Sequence, residues 1–182
     1  MVSRVQTVKH GEPHADGKHG EPRRRQRRRT VEYRRAGQED TASFVENRIE
    51  FVSSIRDVED LEGFRAATLR YIEEHIEQDD LIVYIAEEGE EIVASCMACI
   101  YETAPLPGCL AGKCAEVLNV YTKQEHRRKG HAERLMRMLI SDAEERGVKK
   151  LLLSYTEDGF SLYKKLGFQE MECRMELGLC SG

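Results

Sequence analysis

The sequence predicts a single α/β domain, because strand-like and helix-like patterns alternate along most of its 182 residues. A hairpin is predicted where residues 81–86 turn at Gly89 into a second apolar run, residues 92–101. A β-rich run over residues 116–121 leads into a basic glycine turn and a long amphipathic helix. With 40% hydrophobic residues, a chain of this length can bury one core.

The chain before the hairpin predicts one short strand and two helices. Residues 31–34 alternate like a strand, and Asp40 with Thr41 can cap a first helix whose apolar residues recur at helical spacing. A second helix follows Asp57 or Asp60. Its packing face is predicted to consist of Leu61, Phe64, Thr68, Ile72 and Ile76.

The turn from Arg127 to Ala132 has the properties of a phosphate-binding site. The N-terminus of the helix that follows leaves backbone N–H groups unpaired and carries partial positive charge. Gly130 has no Cβ, and Arg128 and Lys129 add positive charge near the same point. A surface helix with a basic start would share these features, so the turn alone leaves both interpretations open.

The helix after this turn and the elements that follow it complete the predicted sheet. Gly147 supplies the stop of the helix. Residues 151–153 are expected to form a strand covered on both faces, residues 156–166 to contain a short helix, and residues 168–177 to form a final strand. The apolar face of the long helix consists of Ala132, Leu135, Met136, Leu139 and Ala143.

Two segments of this region resemble the GNAT superfamily of acyl-CoA-dependent N-acyltransferases. Arg127-x-x-Gly130-x-Ala132 is similar to the family's Arg/Gln-x-x-Gly-x-Gly/Ala signature, and residues 162–168, Leu-Tyr-Lys-Lys-Leu-Gly-Phe, resemble its Leu-Tyr-x-Lys-x-Gly-Phe segment. Each segment alone is a weak indication of the family, but the two segments together and in this order are a strong one. The resemblance implies a mixed, mostly antiparallel sheet of six to seven strands, flanked by helices, over residues 31–182.

The resemblance also implies acetyl-CoA as co-substrate. The turn amides from Arg128 to Ala132 are expected to hold its pyrophosphate. The other residues of the turn, Arg127, Lys129, Gly130 and His131, are expected in the same site, and His131 is expected to be a surface residue and not a metal ligand. No metal is expected.

The acyl end of the cofactor is expected to lie between two strands that splay apart. Leu118 and Val120 are expected to offer a free strand edge to the pantetheine arm, and the Val120 N–H to polarise the thioester carbonyl. Many relatives hold the cofactor arm with an asparagine seven residues before the motif tyrosine. This chain has Thr156 there, which is expected to serve the same site with a smaller reach.

A base is needed because an alkylamine, with a pKa of about 10, is protonated at neutral pH. Glu116 is the first candidate, since strand alternation places it on one face with Leu118 and Val120, and such an apolar setting would raise its pKa. The position of Glu116 ahead of the Arg127 signature also resembles that of the glutamate base in the histone-acetylating branch of the family. A structural ion pair remains the alternative role, and Glu102, at the end of the preceding strand, is the alternative base.

Two further side chains have predicted roles in the same cleft. Tyr163 matches the tyrosine with which many family members protonate the departing thiolate, although a tyrosine that only packs is the alternative. Asn119 is expected to bond substrate or backbone, and a purely structural polar role beside the strand splay is the alternative.

Charge is divided unevenly along the chain. Residues 1–30 hold nine of the chain's 28 Lys/Arg residues and three of its 33 Asp/Glu residues. Residues 31–182 therefore hold 19 basic and 30 acidic residues, a net charge of −11. The first segment contains a polar repeat and the arginine tract Arg23 to Arg29, and we expect a disordered basic tail with at most weak nucleic-acid attraction. The acidic domain is compatible with a cationic substrate.

Together these features predict a cytoplasmic N-acetyltransferase, monomeric or homodimeric. No apolar run approaches the ~20 residues of a membrane span. The expected acceptor is a small-molecule amine, by direct attack in a ternary complex. The alternatives are a protein Lys or N-terminal acetyltransferase, and a non-catalytic acyl-CoA-binding or nucleic-acid-associated protein.

Overall fold

The computed structural model describes residues 30–105, 107–171 and 177, and within them five strands form one sheet in sequence order. Strands β1 to β4 pair antiparallel, and β5 pairs parallel with β4. The α/β class and the mixed, mostly antiparallel sheet are confirmed, with one or two strands fewer in this part of the chain than expected. The strands are β1 Val31–Arg35, β2 Leu81–Glu88, β3 Glu91–Glu102, β4 Lys113–Thr122 and β5 Lys150–Leu153.

The four helices of the described chain are α1 Thr41–Ile55, α2 Leu61–His75, α3 His131–Glu145 and α4 Glu157–Lys165. Helix α2 begins after Asp60, one of its two predicted starts, and the Asp60 carboxylate caps it by accepting from the Gly63 N–H at 2.8 Å. Asp40 precedes α1 but does not cap it. Its carboxylate instead accepts from the guanidinium of Arg34 at 2.7 Å, a charge-assisted bond.

Helices cover both faces of the sheet. Buried residues of α1 and α2 form one cluster with Met97 of β3, whereas α3 forms a second cluster with Cys96 and Ala98 of the same strand. This alternation along β3 is expected of a strand whose two faces are both buried. Tyr163 and Leu166 of the α4 region pack against the second cluster.

The long helix α3 buries the face that its periodicity predicts. Leu135, Met136 and Leu139 are fully buried, each contributing roughly 1.5–3 kcal/mol to stability. Gly147 follows the helix with a φ of 78°, in the left-handed region that a helix stop favours.

Some predicted elements differ or lie outside the described residues. All four residues of β5 are half-buried, so this strand is less covered than its apolar sequence predicts. Residues 168–171 form no strand, and the rest of the predicted last strand, residues 172–176, lies outside the described residues. Residues 1–29 of the predicted tail lie outside them too. Among the helices described, none has the length and apolarity needed to cross a membrane.

Candidate active site at the open edge of β4

Strand β4 contains one extra residue at Leu118. Met97 of β3 pairs with Asn119 and Ala98 pairs with Val117, so Leu118 has no partner across this ladder. Leu118 is 43% exposed although both of its neighbours are buried. The bulge therefore presents one apolar side chain at the surface and shifts the alternation of the strand beyond it.

This shift makes the predicted face of Glu116 wrong. Residues directly opposite each other in a sheet share a face. Glu116 pairs with Cys99, which packs with the α1 and α2 cluster, whereas Val120 pairs with Cys96 in the α3 cluster. The carboxylate of Glu116 thus lies on the α1 and α2 side of the sheet, and the side chain of Val120 on the opposite side.

Among the described residues, the second half of β4 has no strand paired along one edge, which is called the open edge below. Strand β5 pairs only with residues 114–117 and ends at Leu153. The N–H of Lys123 donates to the Val93 carbonyl at 2.9 Å, and N–H directions alternate along an antiparallel ladder. The N–H of Val120, three residues earlier, therefore points away from β3 and into the open edge.

The glycine turn has the geometry of an anion site. Gly130 has a φ of 87° and Arg128 a φ of 62°, a left-handed conformation that costs a non-glycine residue roughly 1–2 kcal/mol. Residues of this kind turn successive N–H groups toward one point. The first helical bond runs from Arg134 N to Gly130 O at 3.1 Å, so the amides of residues 131–133 lie ahead of it.

The turn also has room for a phosphate group. A Cβ built on Gly130 would meet no heavy atom within 4 Å. Arg127, Arg128 and Lys129 are exposed around it, and Arg127 Nε donates to the Thr122 carbonyl at 3.2 Å, which fixes this side chain near the end of β4. These residues fit the pyrophosphate of a coenzyme A ligand.

His131 is buried, and its predicted surface position is wrong. Only 6% of it is exposed, and its Nδ1 lies 2.6 Å from the hydroxyl of Tyr33. Within the described residues its Nε2 is buried without a hydrogen-bond partner. Burial lowers the pKa of His131, and the neighbouring His126 and Lys129 lower it further. His131 therefore supports the turn from beneath.

Tyr163 of α4 packs against the same cluster as Val120. Its ring meets that of Phe168 edge-on at 5.8 Å and borders a cavity of about 240 Å³ between β5 and α4. Burial raises the pKa of Tyr163 to about 12, so the phenol is protonated at neutral pH. Thr156 precedes α4 as an exposed residue whose side chain makes no capping bond.

Asn119 belongs to a buried hydrogen-bond chain. Its Nδ2 donates to Ser95 Oγ at 2.9 Å, and Ser95 Oγ donates to Asn47 Oδ1 at 2.5 Å. Its Oδ1 accepts from Arg48 Nη1 at 3.4 Å, and Asn119 is only 1% exposed. Of its two predicted roles, this geometry favours the structural one.

The two candidate bases lie at different distances from Val120. Glu116 pairs with Cys99 of β3, and Cys99 lies three residues from Cys96, the partner of Val120. Glu102, in β3 itself, lies six residues from Cys96. At the rise of a strand these separations are roughly 10 and 20 Å. Glu102 is exposed at the strand end. The turn thus lies beside the end of β4, Tyr163 and Val120 pack against the same cluster, and Glu116 lies nearer to Val120 than Glu102 does. No cluster of three potential metal-binding side chains occurs among the residues described.

Comparisons with known proteins agree with this geometry. A model of the acetyltransferase (GNAT) family matches residues 49–168. A predicted acetyltransferase of Clostridium acetobutylicum, solved with acetyl-CoA, is 25% identical with a TM-score of 0.70, and the match covers 82% of this chain and 97% of that one. None of the curated proteins compared with this chain matches it.

Two further structures share the fold. A GCN5-related N-acetyltransferase of Ralstonia eutropha is 23% identical with a TM-score of 0.72, covering 81% of this chain and 98% of that one. The glucosamine-6-phosphate N-acetyltransferase of Arabidopsis thaliana is 20% identical with a TM-score of 0.63, covering 83% and 99%. All three matches span most of both chains.

Proposed function

Because the chain belongs to the GNAT acetyltransferase family, we propose that it moves an acetyl group from acetyl-CoA to the primary amine of a small molecule. The observation that carries the proposal is the open edge of β4 next to the left-handed turn at Gly130. The turn at Gly130 suits a pyrophosphate, and the open edge of β4 suits an extended arm that ends in a thioester. The acidic composition of residues 31–182 suits the ammonium group of such an acceptor.

The residues of the turn and of β4 would hold the co-substrate. The amides ahead of the first bond of α3 donate to phosphate oxygens, and Arg127, Arg128 and Lys129 balance their charge. Leu118 and Val120 offer the strand edge. Bound acetyl-CoA would supply the acetyl thioester and the leaving thiolate. The N–H of Val120 donates to the carbonyl oxygen, where such a donor contributes roughly 3–4 kcal/mol.

Two side chains would move the protons. Glu116, on the α1 and α2 side of the sheet, accepts the proton of the ammonium group through water, since it lies roughly 10 Å along the sheet from Val120. Tyr163, on the α3 side, donates its hydroxyl proton to the departing sulfur. The acceptor and the leaving group thus use opposite sides of β4.

Thiol release from acetyl-CoA tests this function. We expect release that depends on an amine when the protein meets a panel of small amines, and less release with peptides bearing Lys or a free N-terminus. The variant Gly130→Glu, which places a carboxylate in the phosphate cradle, should release none. Release with peptides alone would assign a protein acceptor, and no release with bound acetyl-CoA would favour a non-catalytic acyl-CoA-binding protein.

A further inference from the structure

Arg48 is a half-buried guanidinium between α1 and the bulge of β4. Its Nη1 donates to the Leu118 carbonyl at 3.1 Å and to Asn119 Oδ1 at 3.4 Å. Both bonds use the same nitrogen, and within the described residues Nε and Nη2 bond no other group. The edge formed by Nε and Nη2 is the one that fits both oxygens of a carboxylate or phosphate.

Arg48 differs from the other half-buried arginines in its partners. Arg34 pairs with Asp40, Arg65 with Glu46 and Arg146 with Asp142, whereas no carboxylate of the described chain lies within 4.0 Å of Arg48. A charge taken out of water without a counter-ion is costly. Burial accordingly lowers the pKa of Arg48, and the positive charge of Arg56 lowers it further. With no counter-ion among the described residues, the position can accept an added anion.

The surroundings of Arg48 belong to the side of the sheet from which an acceptor would approach. Its Cζ lies 6.0 Å from the ring centroid of Phe64 in α2. Cys99 and Glu116 are on the same side of the sheet. Val120 lies two residues beyond Leu118, roughly 7 Å along the strand. One small molecule could therefore reach both Arg48 and the point where acetyl transfer would occur.

We propose that Arg48 binds an oxyanion, a carboxylate or a phosphate, on the acceptor amine. The inference rests on the proposed acetyl transfer and narrows its acceptor to amines that carry an acidic group. The Nε and Nη2 edge takes two oxygens of that group, while Nη1 stays on the bulge. Arg48 is thus a specificity-determining residue, and the amino group lies toward Val120.

Matched pairs of acceptors test this specificity by kinetics. The pairs are γ-aminobutyrate with n-butylamine, and O-phosphoethanolamine with ethanolamine, which separate a carboxylate from a phosphate. In the wild type kcat/KM should be at least about tenfold higher for the acidic member of one pair, the change that about 1.4 kcal/mol produces. Arg48→Gln should remove this preference mainly by raising KM for the acidic amine.

Arg70→Gln is the control, because it removes the same charge from an exposed position on α2, and it should keep the preference. If Arg48 served only to brace the bulge, Arg48→Gln would lower kcat/KM equally for both members of each pair. Equal wild-type kcat/KM within both pairs would likewise overturn the inference.

Binding measured without turnover separates the two proposals. Titrating γ-aminobutyrate or O-phosphoethanolamine should shift the Nε–H NMR signal of Arg48, identified by its loss in Arg48→Gln, whereas n-butylamine and ethanolamine should not. If no amine is acetylated but this shift occurs, acetyl transfer is wrong and the oxyanion site stands. If amines are acetylated and neither acidic amine shifts the signal, the oxyanion site is wrong.

Discussion

The hydroxyl of Tyr33 lies 2.6 Å from Nδ1 of His131, which connects β1 to the first residue of α3. The guanidinium of Arg134 covers the Tyr33 ring at 3.9 Å from its centroid. These contacts hold the turn that we propose for the pyrophosphate against the sheet. The position of this turn therefore depends on a residue 98 positions earlier in the chain.

Stability should fall as the pH drops below about 6.5, because burial holds the pKa of His131 below that of an exposed histidine. As the pH falls, the imidazole of His131 is protonated in the unfolded chain before it is protonated in the folded chain. The contribution of neutral His131 to the free energy of unfolding is therefore complete above pH ~6.5 and is lost as the pH falls toward the lower pKa of the folded state. Urea denaturation near pH 7.5 and pH 5.5 measures the loss. His131→Asn, whose side-chain amide can still bond the Tyr33 hydroxyl, should lose less stability over this interval than the wild type; equal losses would contradict the assignment.

Replacing Gly130 should weaken acetyl-CoA binding beyond its effect on stability. Gly130 and Gly147 flank α3, have φ values of 87° and 78°, and each has open space where a Cβ would lie. Alanine at either position should cost roughly 1–2 kcal/mol of stability. In calorimetric titrations only Gly130→Ala should bind acetyl-CoA more weakly, by about tenfold. Equal affinities in the two variants would exclude the turn as the phosphate site.

The turn and α3 could be predicted from the sequence because their signals are local. A glycine after three basic residues and a helical repeat of apolar residues lie within a few turns of chain. The burial of His131 could not be predicted in this way. Its cause is Tyr33, a contact between β1 and α3 that no local pattern contains.

Tyr163→Phe should lower kcat by roughly 10²- to 10⁴-fold while acetyl-CoA affinity stays unchanged. The loss would report the missing hydroxyl, since the ring and its contact with Phe168 remain. Tyr155→Phe, at an exposed residue that precedes α4, should keep wild-type kcat. Single-turnover rates and binding titrations separate the two effects.

The pH profile gives a second test of Tyr163. Because its pKa is raised to about 12, the phenol stays protonated from neutral pH to pH ~10. The wild-type rate should show no alkaline decline due to Tyr163 in this range. A decline there that disappears in Tyr163→Phe would contradict the structure.

Glu116→Gln should slow turnover most near neutral pH and less at higher pH, where more of the amine is already neutral. Glu102→Gln is the matched variant, because Glu102 is the other candidate and lies farther from Val120. It should keep the wild-type rate. A loss confined to Glu102→Gln would reverse the assignment of the base.

The face of Glu116 was predicted wrongly for a specific reason. Counting alternate residues assumes a regular strand, and one extra residue at Leu118 reverses the count for everything beyond it. Arg48 was missed because a charged residue on an amphipathic helix has the pattern of a surface residue. Its contact with the carbonyl of Leu118, 70 positions away, is a feature that no local pattern contains.

The mass of the acceptor after incubation with protein and acetyl-CoA tests the central claim most directly, because it separates transfer from hydrolysis of the thioester. We predict that the acceptor gains one acetyl group on its amine with wild-type protein and none with Gly130→Glu. Thiol release that leaves every amine unmodified would contradict acetyl transfer at the open edge of β4.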